Sequence, residues 1–186
     1  MRRAVHLSVR FLGSLLPLPV READRAWVAS VLTAAELRVW LRLGRADRRE
    51  SIAVARRAGR ALTGHVDVTD DRFLAAALLH DVGKLDARLG PLRRAGATLA
   101  GAAAPPTEVR SWVERTGLAR RVGLYLLHPE VGAQALAVAG ARPEAVAWAA
   151  AHHDPAAFAA LGFPEGVPEA LAAADGEPRA RPRTDR

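Results

Sequence analysis

A chain of 186 residues, half of them apolar, can bury one sizeable core, and with no cysteine it can neither close a disulfide nor hold a metal through thiolate. Ala, Leu and Val dominate the apolar half while only 4 Phe and 1 Tyr occur, so the composition predicts an all-α fold rather than a large sheet. The formal charge of +7 is uneven: residues 1–60 carry 13 arginines against 5 acids, and residues 61–186 carry 14 basic groups against 15 acids.

In chain order, residues 11–20 (FLGSLLPLPV) are apolar but include Pro17 and Pro19. They fall short of the about 20 residues a membrane span needs, and no small-residue cleavage site follows. They read as a segment packing on the domain, with weak membrane attachment together with Arg2 and Arg3 as the lesser alternative. Helices are expected at 22–31 and 34–43, the second carrying Leu37, Trp40 and Leu41 at helical spacing and stopped by Gly44. Asp47-Arg-Arg-Glu50 reads as a capping box opening a helix that runs to Leu62. A loop at 63–69 follows, then a helix capped by Asp70 and ending at Gly83. The small-residue stretch 95–106, closed by two prolines, reads as a surface loop. Further helices are expected at 107–115, 118–127, 130–139, 143–152 and 167–175, the fourth ended by Asp154-Pro155. From Gly176 the chain has no apolar periodicity and reads as a disordered tail. The expected organisation is a basic N-terminal helical extension over 1–44, one domain over 45–175 and a tail over 176–186.

The chemistry-bearing residues gather at expected helix ends. His80-Asp81 closes one helix, His128 opens another, His152-His153-Asp154 closes a third, and Asp175 ends the last. A lone histidine at a helix C-terminus is ordinarily a dipole-favoured cation or a satisfied polar group. Four such elements in order, all at helix ends, form instead the pattern of a bundle whose ligands project into one cavity. Imidazole and carboxylate donors suit one or two divalent ions, and Mn, Fe, Mg, Zn and Ni all remain open. A carboxylate between two nitrogen clusters could bridge two ions about 4 Å apart, a separation used in phosphoryl displacement.

LLHDVGK (78–84), HPEVGAQAL (128–136), AAAHHD (149–154) and ALAAAD (170–175) together resemble the HD superfamily of metal-dependent phosphohydrolases, over roughly residues 45–175. The resemblance implies a compact HD-like helical bundle. In it His80, Asp81 and Asp175 would bind a first metal, with Asp81 bridging, and His128, His152 and His153 a second. Lys84, the only lysine, would face a substrate phosphate, and Asp81 and Lys84 would be the catalytic pair. One position departs from the pattern. The family's opening histidine is replaced by Glu50 in ESIAVARR (50–57), a residue able to ligate a hard metal or to serve only as the cap partner. His65 is a weaker substitute. GFP at 162–164 resembles the GYP element of the branch that hydrolyses cyclic dinucleotides, although a turn before the last helix also explains Gly162 and Pro164.

The expected function is metal-dependent hydrolysis of a nucleotide or related phosphate ester, in the cytoplasm, whose reducing conditions suit a cysteine-free chain. The alternative is a degenerate domain that binds metal or nucleotide and regulates a partner without turnover. Nucleic-acid binding, suggested by the basic first third, ranks last. No binding motif and few aromatics support it, and an arginine-for-lysine bias accounts for the charge.

Overall fold

The computed structural model describes residues 19–63 and 71–176. Residues 1–18, His65 with most of its expected loop, the expected cap at Asp70 and the tail from residue 177 lie outside them. Every element among the described residues is helical, and none is a strand. We number the α-helices α1 (Glu22–Val31), α2 (Ala34–Trp40), α3 (Arg45–Leu62), α4 (Asp71–Leu79), α5 (Lys84–Ala87), α6 (Pro91–Ala103), α7 (Pro106–Trp112), α8 (Gly117–Leu126), α9 (His128–Ala139), α10 (Pro143–Ala151) and α11 (Val167–Asp175), with a 3₁₀ helix at Pro155–Leu161. None of these helices is long and apolar enough to cross a membrane.

The bundle is organised around α4. Its Phe73, Ala75, Ala76, Ala77, Leu78 and Leu79 are all buried, and α1, α2, α3, α10 and α11 pack against it. Three consecutive alanines let these neighbours approach from several sides, because small side chains bring helix axes close. Trp40, Trp148, Leu136 and Leu171 fill the remaining volume of the same core. The two helices of the basic extension belong to it as well, contributing Val28, Val31, Val39 and Trp40. A second, smaller cluster of Ala87, Leu89 and Ala97, backed by Val122, Leu124 and Tyr125, holds α5, α6 and α8 together.

Three expectations need correction. α3 begins at Arg45 with Gly44 as its N-cap and no side-chain cap, so Asp47 and Glu50 both lie inside the helix and form no capping box. Asp47 instead accepts two hydrogen bonds from Arg94 on α6, at 2.5 and 3.0 Å. Second, most of the stretch expected as a loop at 95–106 lies in α6. Alanine is the strongest helix former, and burial of Ala97 together with the Arg94–Asp47 pair gives the helix an anchored face. Third, α4 stops at Leu79 rather than Gly83, which leaves His80 to Gly83 in a turn.

That turn is pressed against the start of α9. A Cβ built on Gly83 would lie 2.0 Å from the His128 carbonyl oxygen and 2.7 Å from the Gly132 nitrogen. A Cβ on Gly132 would in turn lie 2.9 Å from the Gly83 nitrogen. The crossing is therefore backbone on backbone, and only glycine fits on either side. Elsewhere, Glu36 ties α1 and α2 to the turn between α9 and α10. Its fully buried carboxylate accepts from the Arg142 main-chain N–H at 2.9 Å, from Arg142 Nη2 at 2.7 Å and from the Thr33 N–H at 2.9 Å. Burial alone would raise the Glu36 carboxyl, but the Arg142 and Thr33 donors outweigh it and hold the group below its ordinary 4.5.

Two predictions follow from these contacts. Gly83→Ala should destabilise the protein by about 3 kcal/mol, since backbone must shift to admit the methyl group, and denaturant unfolding measures this. Arg142→Ala should cost about 3–5 kcal/mol at neutral pH by leaving a buried carboxylate without its cation. In the unmodified protein the contribution of the pair is full above the ordinary carboxyl value of 4.5 and is lost as pH falls through the lowered folded value. The gap in unfolding free energy between the two proteins should therefore narrow on acidification, and a gap independent of pH would contradict the role given to Glu36.

Candidate metal centre

Three histidines are oriented by one repeated device. The Nδ1 atoms of His80, His128 and His152 lie 2.8, 2.7 and 2.9 Å from the carbonyl oxygens of Ala77, Tyr125 and Ala149, each three residues earlier. These are helix-end carbonyls, which lack the ordinary donor four residues on and accept a ring N–H. With Nδ1 donating outward, each Nε2 is turned toward the others. Local sequence explains where the rings stand: His80 follows the last residue of α4, His128 opens α9 with Pro129 behind it, and His152 caps α10.

Asp81 occupies the middle. Its Oδ1 lies 3.2 Å from His128 Nε2 and 3.8 Å from His152 Nε2. Its Oδ2 lies 3.5 Å from His80 Nε2 and accepts from Lys84 Nζ at 2.6 Å. Asp175, the last residue of α11, places Oδ1 3.4 Å from His80 Nε2. His153 Nε2 stands 3.2 Å from His128 Nε2. The donor atoms of His128, His152 and His153 all lie within 4.8 Å of one another, so this group could hold a metal ion. The structure thus brings together His80, Asp81, Lys84, His128, His152, His153 and Asp175.

Glu50 is differently engaged. Its Oε1 accepts from Arg57 Nη2 at 3.2 Å, and Arg57 Nε donates to the Ala174 carbonyl at 2.6 Å. Asp154, beside the histidine pair, caps the 3₁₀ helix through the Ala156 N–H and is exposed. Two residues were missed in the sequence. Tyr125 stacks on the His128 ring with centroids 5.8 Å apart, a contact that the spacing of three from His128 could have signalled. Arg57 had no such signal, because its partner lies 117 positions away.

The cluster contains buried polar atoms that the protein itself leaves unpaired. His80 Nε2, His152 Nε2 and Asp81 Oδ1 are buried and have no hydrogen-bond partner, an expensive state for polar atoms unless something else satisfies them. Burial pushes the His152 imidazole down to about 2, helped by His80 and His153. His153, exposed at the edge of the cluster, is lowered to about 4 by partial desolvation of its ring and by the charge of His128. Both rings are therefore neutral lone-pair donors at physiological pH. Burial would lower His80 too, but Asp81 and Asp175 outweigh it and lift the ring to about 9. Burial opposes ionisation of Asp81 and Asp175, yet Lys84 and His80 hold Asp81 well below its usual range, and His80 holds Asp175 at about 2. The neutral His152 and His153 imidazoles beside the ionised Asp81 fit a divalent ion held by nitrogen and oxygen, whereas His80, a cation paired with Asp81 and Asp175, would have to release its proton to serve as a ligand.

His152→Ala should therefore weaken binding of Zn²⁺ or Mn²⁺ beyond the roughly 10–100-fold typical of changes outside the ligand set, as read by calorimetric titration. Asp154→Ala, one position past the pair and aimed elsewhere, should bind as the unmodified protein does. Equal affinities in the two variants would remove His152 from the ligand set.

No family model matches the chain, and no curated protein or solved structure shows significant similarity to it.

Proposed function

We propose that this protein is a metal-dependent phosphohydrolase of the HD type, acting on a nucleotide or a related phosphate ester. The observation that carries the reading is the two-sided engagement of Asp81, with one oxygen turned to His128 and His152 and the other to His80 and Lys84. Such a carboxylate suits a bridge between ions, with His80, Asp81 and Asp175 on one side and His128, His152 and His153 on the other. Bound there, divalent ions would polarise a phosphoryl oxygen, lower the pKa of water and offset charge developing at phosphorus.

The chain's own groups have complementary tasks. Lys84 is held over Asp81 as a fixed ammonium, its ionisation favoured by that carboxylate although burial opposes it. Its side chain keeps 18% exposure, enough for a substrate phosphate to meet the point charge. Buried imidazoles tied by Nδ1 keep their orientation without further cost when ligand arrives, the kind of preorganisation that favours electrostatic catalysis. Tyr125, stacked on the His128 ring, adds an aromatic neighbour to the cluster.

A second reading, binding of metal or nucleotide without turnover, is favoured by Glu50, whose carboxylate engages Arg57 at the position where the family pattern has a ligand. One experiment separates the two. The purified protein, saturated with Mn²⁺, is offered bis(p-nitrophenyl) phosphate and a nucleotide panel beside Asp81→Ala. Hydrolysis that Asp81→Ala abolishes, with ion content lost and helical content kept, supports the enzyme. Ion and nucleotide binding without product selects the regulatory reading, and full ion content in Asp81→Ala would rule out the bridge.

A further inference from the structure

We infer that Arg57 is a positioning residue for the centre: steadied by Glu50, it grips the main chain at Ala174 and thereby sets where Asp175 stands relative to His80. The inference rests on the reading of the centre as a metal site.

Glu50 and Arg57 are seven residues apart on α3, about two turns, and so share one face. Glu50 Oε1 accepts from Nη2 at 3.2 Å while Nε donates to the Ala174 carbonyl at 2.6 Å. Ala174 is the penultimate residue of α11, where carbonyls have no intrahelical donor and carry the partial negative charge of the helix end. The cap does not use this oxygen, because the Gly176 N–H turns back to the carbonyls of Ala172 and Ala173. The guanidinium therefore supplies a donor that the helix itself lacks.

The leverage comes from the peptide plane. The Ala174 carbonyl and the Asp175 Cα belong to one rigid unit, so fixing the oxygen fixes the origin of the Asp175 side chain. Asp175 Oδ1 then stands 3.4 Å from His80 Nε2, and misplacing a reacting or ligating group by about 1 Å can cost two orders of magnitude. In this arrangement α3 is joined to the centre through a charged strut. Glu50 orients the arginine, and the arginine sets the aspartate.

The test uses the whole chain and two readouts, Mn²⁺ affinity by calorimetry and the His80 imidazole nitrogen resonances of the metal-free protein. Arg57→Met keeps the apolar stem and removes every donor. It should shift the His80 resonances and weaken Mn²⁺ at least about tenfold, with helical content unchanged. Arg57→Lys, which restores a cationic donor, should recover part of both. If Arg57→Met loses helical content, Glu50→Ala, which removes the acceptor that steadies the guanidinium while keeping Arg57, is read in the same way. Unmoved His80 resonances in the variant that folds would overturn the positioning role. Failure of the unmodified protein to bind Mn²⁺ would instead sink the metal reading, and the His80 resonances would still decide the role of Arg57.

Discussion

Two glycines crossing backbone to backbone fix the geometry on which the rest of this molecule depends. Gly83 ends the turn that carries His80 and Asp81, and Gly132 lies one turn inside the helix that His128 opens. Any side chain at the crossing would hold the two segments apart, and Asp81 Oδ1 would no longer stand 3.2 Å from His128. The remaining groups arrive by helix packing on α4: His152 and His153 just past the end of α10, and Asp175 at the end of α11. The centre is thus assembled from helix ends, where orphan carbonyls are free to orient imidazole rings.

The concentration of charge in so small a volume has a thermodynamic cost that the core must offset. The buried His80 Nε2, His152 Nε2 and Asp81 Oδ1 atoms without hydrogen-bond partners cost the folded state, while the charge pairing that raises His80 to about 9 and holds Asp175 at about 2 offsets part of that cost. Their placement is consistent with a protein that trades stability for a ligand site. The same chain shows what a satisfied buried charge looks like: Glu36 receives donors from both Arg142 and Thr33 and leaves no oxygen without a partner. Asp81 differs: its Oδ2 accepts from Lys84, while its buried Oδ1 has no hydrogen-bond donor.

Much of this was legible in the residues. Helical periodicity with Pro and Gly punctuation located α1, α9, α10 and α11 closely, and the grouping of histidines and aspartates at helix ends pointed to one cavity. Local rules failed where a distant partner intervened. Asp47 looked like a cap because its neighbours fit that motif, yet Arg94 on α6 claims its carboxylate. The 95–106 stretch looked like a loop because small residues and prolines are ambiguous without knowledge of what they pack against, and the burial of Ala97 resolves the ambiguity toward helix. The same blindness hid Arg57, whose contact with Ala174 has no local signature.

The solitary lysine gives the molecule an unusual chemical property. The one primary amine of a side chain lies inside the centre, hydrogen-bonded to Asp81. Acylating or reductively alkylating reagents, which attack the neutral amine, meet there an ammonium whose deprotonation is disfavoured. Removal of the Asp81 charge would unmask it. Lysine labelling, ordinarily scattered over a protein surface, reports for this chain on Lys84 alone, and its rate, followed apart from that of the α-amino group, reads the charge state of the site.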